Sequence, residues 1–263
     1  MSRSRPVALV TGGGRGIGAA IARFLGSNGY DIALHYWDDQ EGADRLTKEL
    51  AQMETRCLVL HGDLTHPELA ASLVERTMEE FGQIDALVNN AGVTIAGPFL
   101  TMSLKDIEYS YALNFRAPYL MAQCAAQTMV RQGMSGSIVN ITSVHQERVS
   151  DWDSVYGAMK AALARATESM AYELAPHGIR VNAVAPGRIF LPERRTLHSE
   201  NQERHVHTAI PLSRSGTVEE VAQAVAWLLS PEASYVTGIT LRIDGGLNLP
   251  MNRAMIDQRL KFI

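Results

Sequence analysis

The chain has 263 residues, 46% of them apolar, with 24 basic against 28 acidic side chains and a net charge of −4. One α/β domain over 1–263 accounts for that length, and the slight acidity excludes a general binder of nucleic acid or of acidic membrane surface. Two cysteines, Cys57 and Cys124, without paired spacing, exclude a disulfide framework and a cysteine metal site. The apolar run after the basic start is too short for a signal peptide. No segment approaches the ~20 apolar residues of a membrane span. A cytoplasmic protein without a metal is the expectation.

Val7–Val10 is a short unbroken apolar run, as in a parallel strand buried on both faces. Thr11-Gly12-Gly13-Gly14-Arg15-Gly16-Ile17-Gly18 follows, and 19–25 then carries helical spacing. Strand, glycine turn and helix start form the context of a dinucleotide site. The glycines let the backbone approach a pyrophosphate, and orphan N–H groups at the helix start bind its charge. Residues 31–36 read as the second strand, at whose end NAD-preferring folds place an acid for the ribose 2′-hydroxyl. Tyr36 is not acidic, and Arg15 could meet a 2′-phosphate, which favours NADP. Trp37 adds no second cation, and Asp38 and Asp39 keep NAD open.

A helix over 40–53 puts Ala43, Leu46, Leu50 and Met53 on one face. A strand over 56–60 leads to Asp63-Leu64. Asp63 and Thr65 are each able to cap a helix over 65–82. A strand over 84–88 runs into Asn89-Asn90-Ala91-Gly92, whose small residues admit a ligand against the backbone. A long helix is expected over 109–132 with Asn114 near its start, and a strand over 137–141 delivers Ser143. The loop from Ser143 to Tyr156 holds His145, Gln146, Glu147, Arg148, Trp152 and Asp153. Burying such groups is costly unless polar partners meet them, and a polyhydroxylated substrate would do so.

The next helix begins near Tyr156, so Tyr156 and Lys160, at i and i+4, share a face. A phenol titrates near pH ~10, and a fixed positive charge favours its ionised form. The pair therefore supplies a proton acceptor, and Ser143 could hold a substrate oxygen. A strand over 179–185 precedes Pro186-Gly187. The charged stretch 188–215, with His198, His205 and His207, reads as a substrate lid. A helix over 218–229, a strand over 239–243 and a tail over 248–263 complete the chain.

In order, the glycine turn from Thr11, Asn89-Asn90-Ala91-Gly92, Asn114, Ser143, Tyr156 with Lys160, Pro186-Gly187 and Asp244-Gly245-Gly246 span nearly the whole chain. Together they resemble the short-chain dehydrogenase/reductase family. The resemblance implies a Rossmann-type, doubly wound parallel sheet of seven strands with helices on both faces. It implies Asn114, Ser143, Tyr156 and Lys160 as catalytic residues, with Asn114 holding a water between Lys160 and solvent. It implies a dinucleotide held by Gly12, Arg15, Gly16, Ile17, Gly18, Tyr36, Trp37, Asp63, Leu64, Asn90, Ala91, Gly92, Tyr156, Lys160, Pro186, Gly187 and Ile189. In that set Asp63 meets the adenine amino group and the Ile189 backbone meets the nicotinamide carboxamide. Leu191 stands where the family usually carries a hydroxyl. A homotetramer built through the two long helices is the implied assembly.

The implied reaction is hydride transfer between NADP, or NAD, and a secondary alcohol or carbonyl. Ser143-Val144-His145-Gln146 and the stretch 233–241 are similar to glucose 1-dehydrogenases of the family. With the polar loop, this points to a sugar-like small molecule contacted by His145, Gln146 and Trp152. Thr94 stands where those enzymes carry an acid. A 3-oxoacyl-[acyl-carrier-protein] reductase is the alternative, although Ala171-Tyr172-Glu173 lacks the cation those reductases usually have there. A dinucleotide-sensing regulator without catalysis is a further alternative, opposed by the retention of all four catalytic residues.

Overall fold

The computed structural model describes residues 5–191 and 209–249. Along the chain, β1 (Val7–Val10), α1 (Gly16–Ser27), β2 (Asp31–Tyr36), α2 (Gln40–Gln52), β3 (Cys57–His61) and α3 (Leu69–Phe81) come first. They are followed by β4 (Ala86–Asn89), α4 (Leu104–Tyr111), α5 (Ala117–Arg131), β5 (Gly136–Ile141) and α6 (Ser154–Leu174). Then come β6 (Ile179–Pro186), α7 (Val218–Leu229) and β7 (Thr240–Ile243).

The strands form one parallel sheet in the order β3-β2-β1-β4-β5-β6-β7. Side chains alternate between its faces. Ala8, Val10, Ile32, Leu34, Ala86 and Val88 pack with α1, α2 and α7, whereas Leu9, Ala33, Leu87 and Ile138 pack with α3 and α5. Both faces are covered, which is why the strands read as unbroken apolar runs rather than alternating ones. The expected seven-stranded, doubly wound architecture is present. Strand order reverses between β1 and β4, which pair directly, Ala8 opposite Ala86 and Val10 opposite Val88. A crevice therefore opens beyond the carboxyl ends of these two strands.

Buried amides tie the strand ends to the helices. Asn89 donates to Pro118 O at 3.0 Å and to Asn140 Oδ1 at 2.9 Å, and Asn140 donates to Thr167 Oγ1 at 2.9 Å. This chain fixes β4 and β5 relative to α5 and α6. Thr217 and Glu220 form a reciprocal cap on α7, each bonding the other's backbone N–H.

Two helices depart from the sequence expectation. The helix expected over 109–132 begins earlier, at Leu104, where the Ser103 side chain accepts from Asp106 N. It is then interrupted by a wide π-type turn at Ala112–Arg116 before α5 resumes. Pro118 explains the break: it has no N–H for the Asn114 carbonyl, and its ring crowds that carbonyl. α3 starts at Leu69 rather than at 65, because Asp63 Oδ1 accepts from Thr65 N at 2.9 Å in a local turn and Pro67 follows. Neither Asp63 nor Thr65 caps that helix. Of the lid expected over 188–215, residues 192–208 lie outside the described residues. So do residues 250–263 of the tail.

Candidate active site

The crevice encloses about 460 Å3 and is walled by the glycine turn, the end of β2, the Asn89–Gly92 stretch, the start of α6 and Pro186–Ile189. Gly12 and Gly16 have φ of +66° and +56°, a region that side chains with a Cβ rarely adopt. The side chain of Asn90 donates to Thr11 O and Gly12 O, both at 3.0 Å. The Thr11 hydroxyl accepts from Asn90 N and Ala91 N, also at 3.0 Å. The turn is thus fastened to the end of β4. α1 has no side-chain cap, so its first N–H groups are available to an anion.

His35 was not expected here. It is buried at the end of β2, where Gly12 N donates to its Nδ1 at 3.3 Å and its Nε2 lies 2.9 Å from Gly62 O. A carbonyl only accepts, so Nε2 carries the hydrogen and the ring is neutral. Burial pushes its pKa down to about 4. A polar residue inside an apolar strand was the available signal.

At the β2 end of the crevice, Tyr36 and Trp37 flank His61, with Trp37 stacked on it at 5.3 Å and 15°. Arg15 reaches Asp38 at 3.0 Å, with both side chains more than half exposed. Asp39 also lines this end and accepts from Gly42 N at the start of α2. Asp63 and Leu64 line the same end. Every residue named above from the sequence as cofactor-binding lies on this crevice.

At the opposite end, Tyr156 and Lys160 project from the first turns of α6, with Lys160 Nζ 5.7 Å from the phenol ring centre. Ser143 and Thr94 lie against the phenol. The Ser143 oxygen already accepts from His145 N at 3.2 Å, which leaves its O–H free to donate. Asn114, fully buried in the π-type turn, holds both backbone groups of Val93, accepting from its N–H at 3.1 Å and donating to its carbonyl at 2.8 Å. Gly92 sits between Asn114 and Lys160. A Cβ there would lie 2.9 Å from Asn114 Oδ1 and 3.2 Å from Lys160 Nζ.

The electrostatics differ from the sequence expectation that Lys160 makes the phenol acidic. Burial pushes the Tyr156 pKa above the usual phenol value, while its contacts with Ser143 and Thr94 favour the anion and the Asp153 carboxylate disfavours it. Lys160 donates to Ile141 O at 3.0 Å, and burial pushes its own pKa down to about 8. Burial is the leading influence on both groups.

Of the residues expected to contact substrate, His145 packs edge-on against the Tyr156 ring, with centres 5.8 Å apart. His145, Gln146 and Trp152 line a second cavity of about 360 Å3, with Phe99 and Val149, and the first turns of α6 separate it from the crevice. Much of the polar loop is already partnered within the chain, although Gln146 Oε1 and Asp153 Oδ1 are buried without a partner among the described residues. His145 pairs with Asp153 at 2.7 Å, Glu147 with Arg242 at 3.0 Å, and Arg148 donates to Leu247 O at 2.7 Å. Its polarity is therefore no measure of the substrate's. The crevice beside Tyr156 is instead lined by Val93, Thr94, Tyr109, Leu113, Ile189 and Leu191.

A family model described as enoyl-(acyl carrier protein) reductase matches residues 12–248. A short-chain dehydrogenase/reductase from Serratia marcescens BCRC 10948 superposes with a TM-score of 0.87 at 34% identity, covering 92% of this chain and 98% of that one. The chain belongs to the short-chain dehydrogenase/reductase family. Among other family members, the structure of acetoin dehydrogenase from Enterobacter cloacae is 39% identical, with a TM-score of 0.87 over 95% of this chain and 97% of that one. Glucose 1-dehydrogenase 2 of Bacillus subtilis (strain 168) is 35% identical over 243 residues, which is 92% of this chain and 94% of that protein. As a short-chain dehydrogenase/reductase, the protein is an oxidoreductase acting on alcohols or carbonyls with a nicotinamide cofactor. The sensor alternative is thereby set aside. Among the described residues, no helix is long and apolar enough to cross a membrane.

Proposed function

We propose that the protein moves a hydride between NADP, or less readily NAD, and a small secondary alcohol or carbonyl with a second oxygen on the adjacent carbon. The observation that carries this reading is that Tyr156 and Ser143 meet at one end of the crevice whose other end is the glycine turn and the start of α1. When bound, the nicotinamide supplies the hydride acceptor. Tyr156 takes the proton from the substrate hydroxyl, and Ser143 donates to the same oxygen as its charge grows. Lys160, buried against Ile141 O, would hold the ribose on the nicotinamide side. Asn114 sets the position of Gly92 and Val93, the floor of that end.

Among the described residues, Thr94 adds a hydroxyl beside the phenol next to that of Ser143, in a surround of Val93, Tyr109, Leu113, Ile189 and Leu191. That suits one neighbouring substrate oxygen. An aldose at its anomeric carbon and acetoin share this vicinal pattern, and they are the substrates named for two of the relatives. An acyl-carrier substrate gains no support from the Ala171-Tyr172-Glu173 stretch, which offers no cation to an acidic carrier. Steady-state assays with acetoin, a set of aldoses, 2-propanol and acetoacetyl thioesters, each with NADP or NAD in the matching redox form, test the proposal. Vicinal substrates should be preferred over 2-propanol. Turnover of the thioesters alone would replace this reading with the reductase one.

For the cofactor, support comes from the non-acidic Tyr36 and from Arg15, whose exposed pair with Asp38 costs at most about 1 kcal/mol to give up. A charge-assisted bond from Arg15 to a 2′-phosphate is stronger. Arg15→Ala is expected to raise KM for NADP about tenfold or more and to leave KM for NAD within about threefold, as read by initial rates. For assembly, we propose a cytoplasmic homotetramer. A cleft of about 440 Å3 between α5 and α6, lined by Tyr119, Val130, Met170 and Leu174, offers an apolar face for pairing. Sedimentation at four times the 28.8 kDa chain mass is the expected result, and a monomer mass would refute it.

A further inference from the structure

Asp153 occupies the N-cap of α6, where an aspartate ordinarily accepts a hydrogen bond from the helix's first N–H groups. Here it makes no such bond. Its carboxylate turns instead to His145, with Oδ2 lying 2.7 Å from Nδ1. The side chain is 8% exposed, and Oδ1 is buried without a partner among the described residues. The imidazole that it holds meets the Tyr156 ring edge-on, with centres 5.8 Å apart and planes at 72°. Gly157 leaves room for this arrangement, since a Cβ there would lie 2.9 Å from His145 O and 3.0 Å from Asp153 Oδ2. A half-satisfied buried carboxylate that forgoes its cap is costly to keep, and the group it serves lies beside the phenol.

We propose that Asp153 and His145 form a carboxylate–imidazole dyad that positions the Tyr156 ring and biases its proton. His145 donates its Nδ1–H to Asp153 Oδ2, which fixes the tautomer and the ring plane. His145 then presents its edge to Tyr156. The dyad places one negative charge, partly dispersed by the imidazole N–H, near the phenol. The other groups facing the phenol are Lys160 from α6 and the uncharged Ser143 and Thr94. The Asp153 charge opposes ionisation of the phenol, so the dyad keeps Tyr156 protonated to a higher pH than its other neighbours would. Asp153 is thus a positioning residue that acts through His145 and through its field.

This inference rests on Tyr156 being the proton acceptor, and the test separates the two. The readout is the acid limb of kcat/KM against pH for oxidation of whichever alcohol the substrate panel finds active, because that limb reports the group that must lose a proton. Asp153→Asn keeps an acceptor for His145 and removes the charge. Its limb should move to lower pH by roughly half to one unit. His145→Phe keeps the ring edge and removes the N–H that disperses the charge, so its limb should move upward. Profiles that superimpose on the unaltered protein's in both variants would overturn the dyad, whatever happens to kcat. If either variant fails to fold, the other carries the test alone. Tyr156→Phe is assayed in parallel. Loss of turnover there with unmoved limbs refutes the dyad only, whereas retained turnover refutes the proton-acceptor reading itself.

Discussion

Tyr156→Phe is expected to lower kcat about a thousandfold and to leave dinucleotide affinity within about threefold of the unaltered protein. The size follows from the role: a positioned proton acceptor contributes roughly 10²- to 10⁴-fold, and no neighbour can replace it. Ser143 lacks a base to activate it, Thr94 is an ordinary hydroxyl, and Lys160 is engaged with Ile141 O. The selectivity follows from geometry. Phenylalanine keeps the ring that packs against His145, so the start of α6 should hold its shape. The glycine turn, Asn90 and the end of β2, which wall the rest of the crevice, are untouched. Steady-state rates and a fluorescence titration of the reduced dinucleotide check both halves. A kcat within tenfold of normal would remove Tyr156 from the chemistry.

Some of this was readable in the residues alone, for definite physical reasons. Strands buried on both faces are largely apolar, so Val7–Val10 is recognisable as written and Asp31–Tyr36 from its Ile32-Ala33-Leu34 run. α7 was legible over Val218–Leu229, while the reciprocal cap of Thr217 and Glu220 that starts it went unread. The glycine turn was legible because only glycine tolerates the φ that Gly12 and Gly16 adopt. The polar loop after Ser143 was not. Whether Glu147 or Asp153 faces a substrate or a protein partner depends on Arg242 and His145, and spacing does not say who arrives there. The surroundings of Tyr156 were incompletely legible on the same ground. The i,i+4 rule counts the charge of Lys160 and omits the desolvation that burial imposes on both groups. The split at Asn114 was foreshadowed by Pro118, but its form, a widened turn rather than a stop, depends on the bonds that Asn114 makes to Val93.

Gly18→Ala separates the seat of the dinucleotide from the chemistry. A Cβ on Gly18 would lie 2.2 Å from Gly12 O and 2.5 Å from Asn90 Nδ2. The first is backbone, so the clash cannot be relieved by rotating a side chain. The second is the amide that fastens the turn, donating to Gly12 O at 3.0 Å. The added methyl must therefore push the turn off the end of β4 or push α1 away from the turn. Either movement would misalign the N–H groups proposed to face a bound pyrophosphate, and several charge-assisted bonds would weaken together. The expected loss is about a hundredfold in affinity for NADP and for NAD alike, or roughly 2.7 kcal/mol. That parallel loss contrasts with Arg15→Ala, which acts only on the cofactor carrying a 2′-phosphate. Alanine is the better helix former, so α1 itself should not be weakened, and circular dichroism should remain that of the unaltered chain. Titration calorimetry with each cofactor decides the matter. Unchanged affinity in a folded Gly18→Ala protein would mean that the dinucleotide does not lie across this turn.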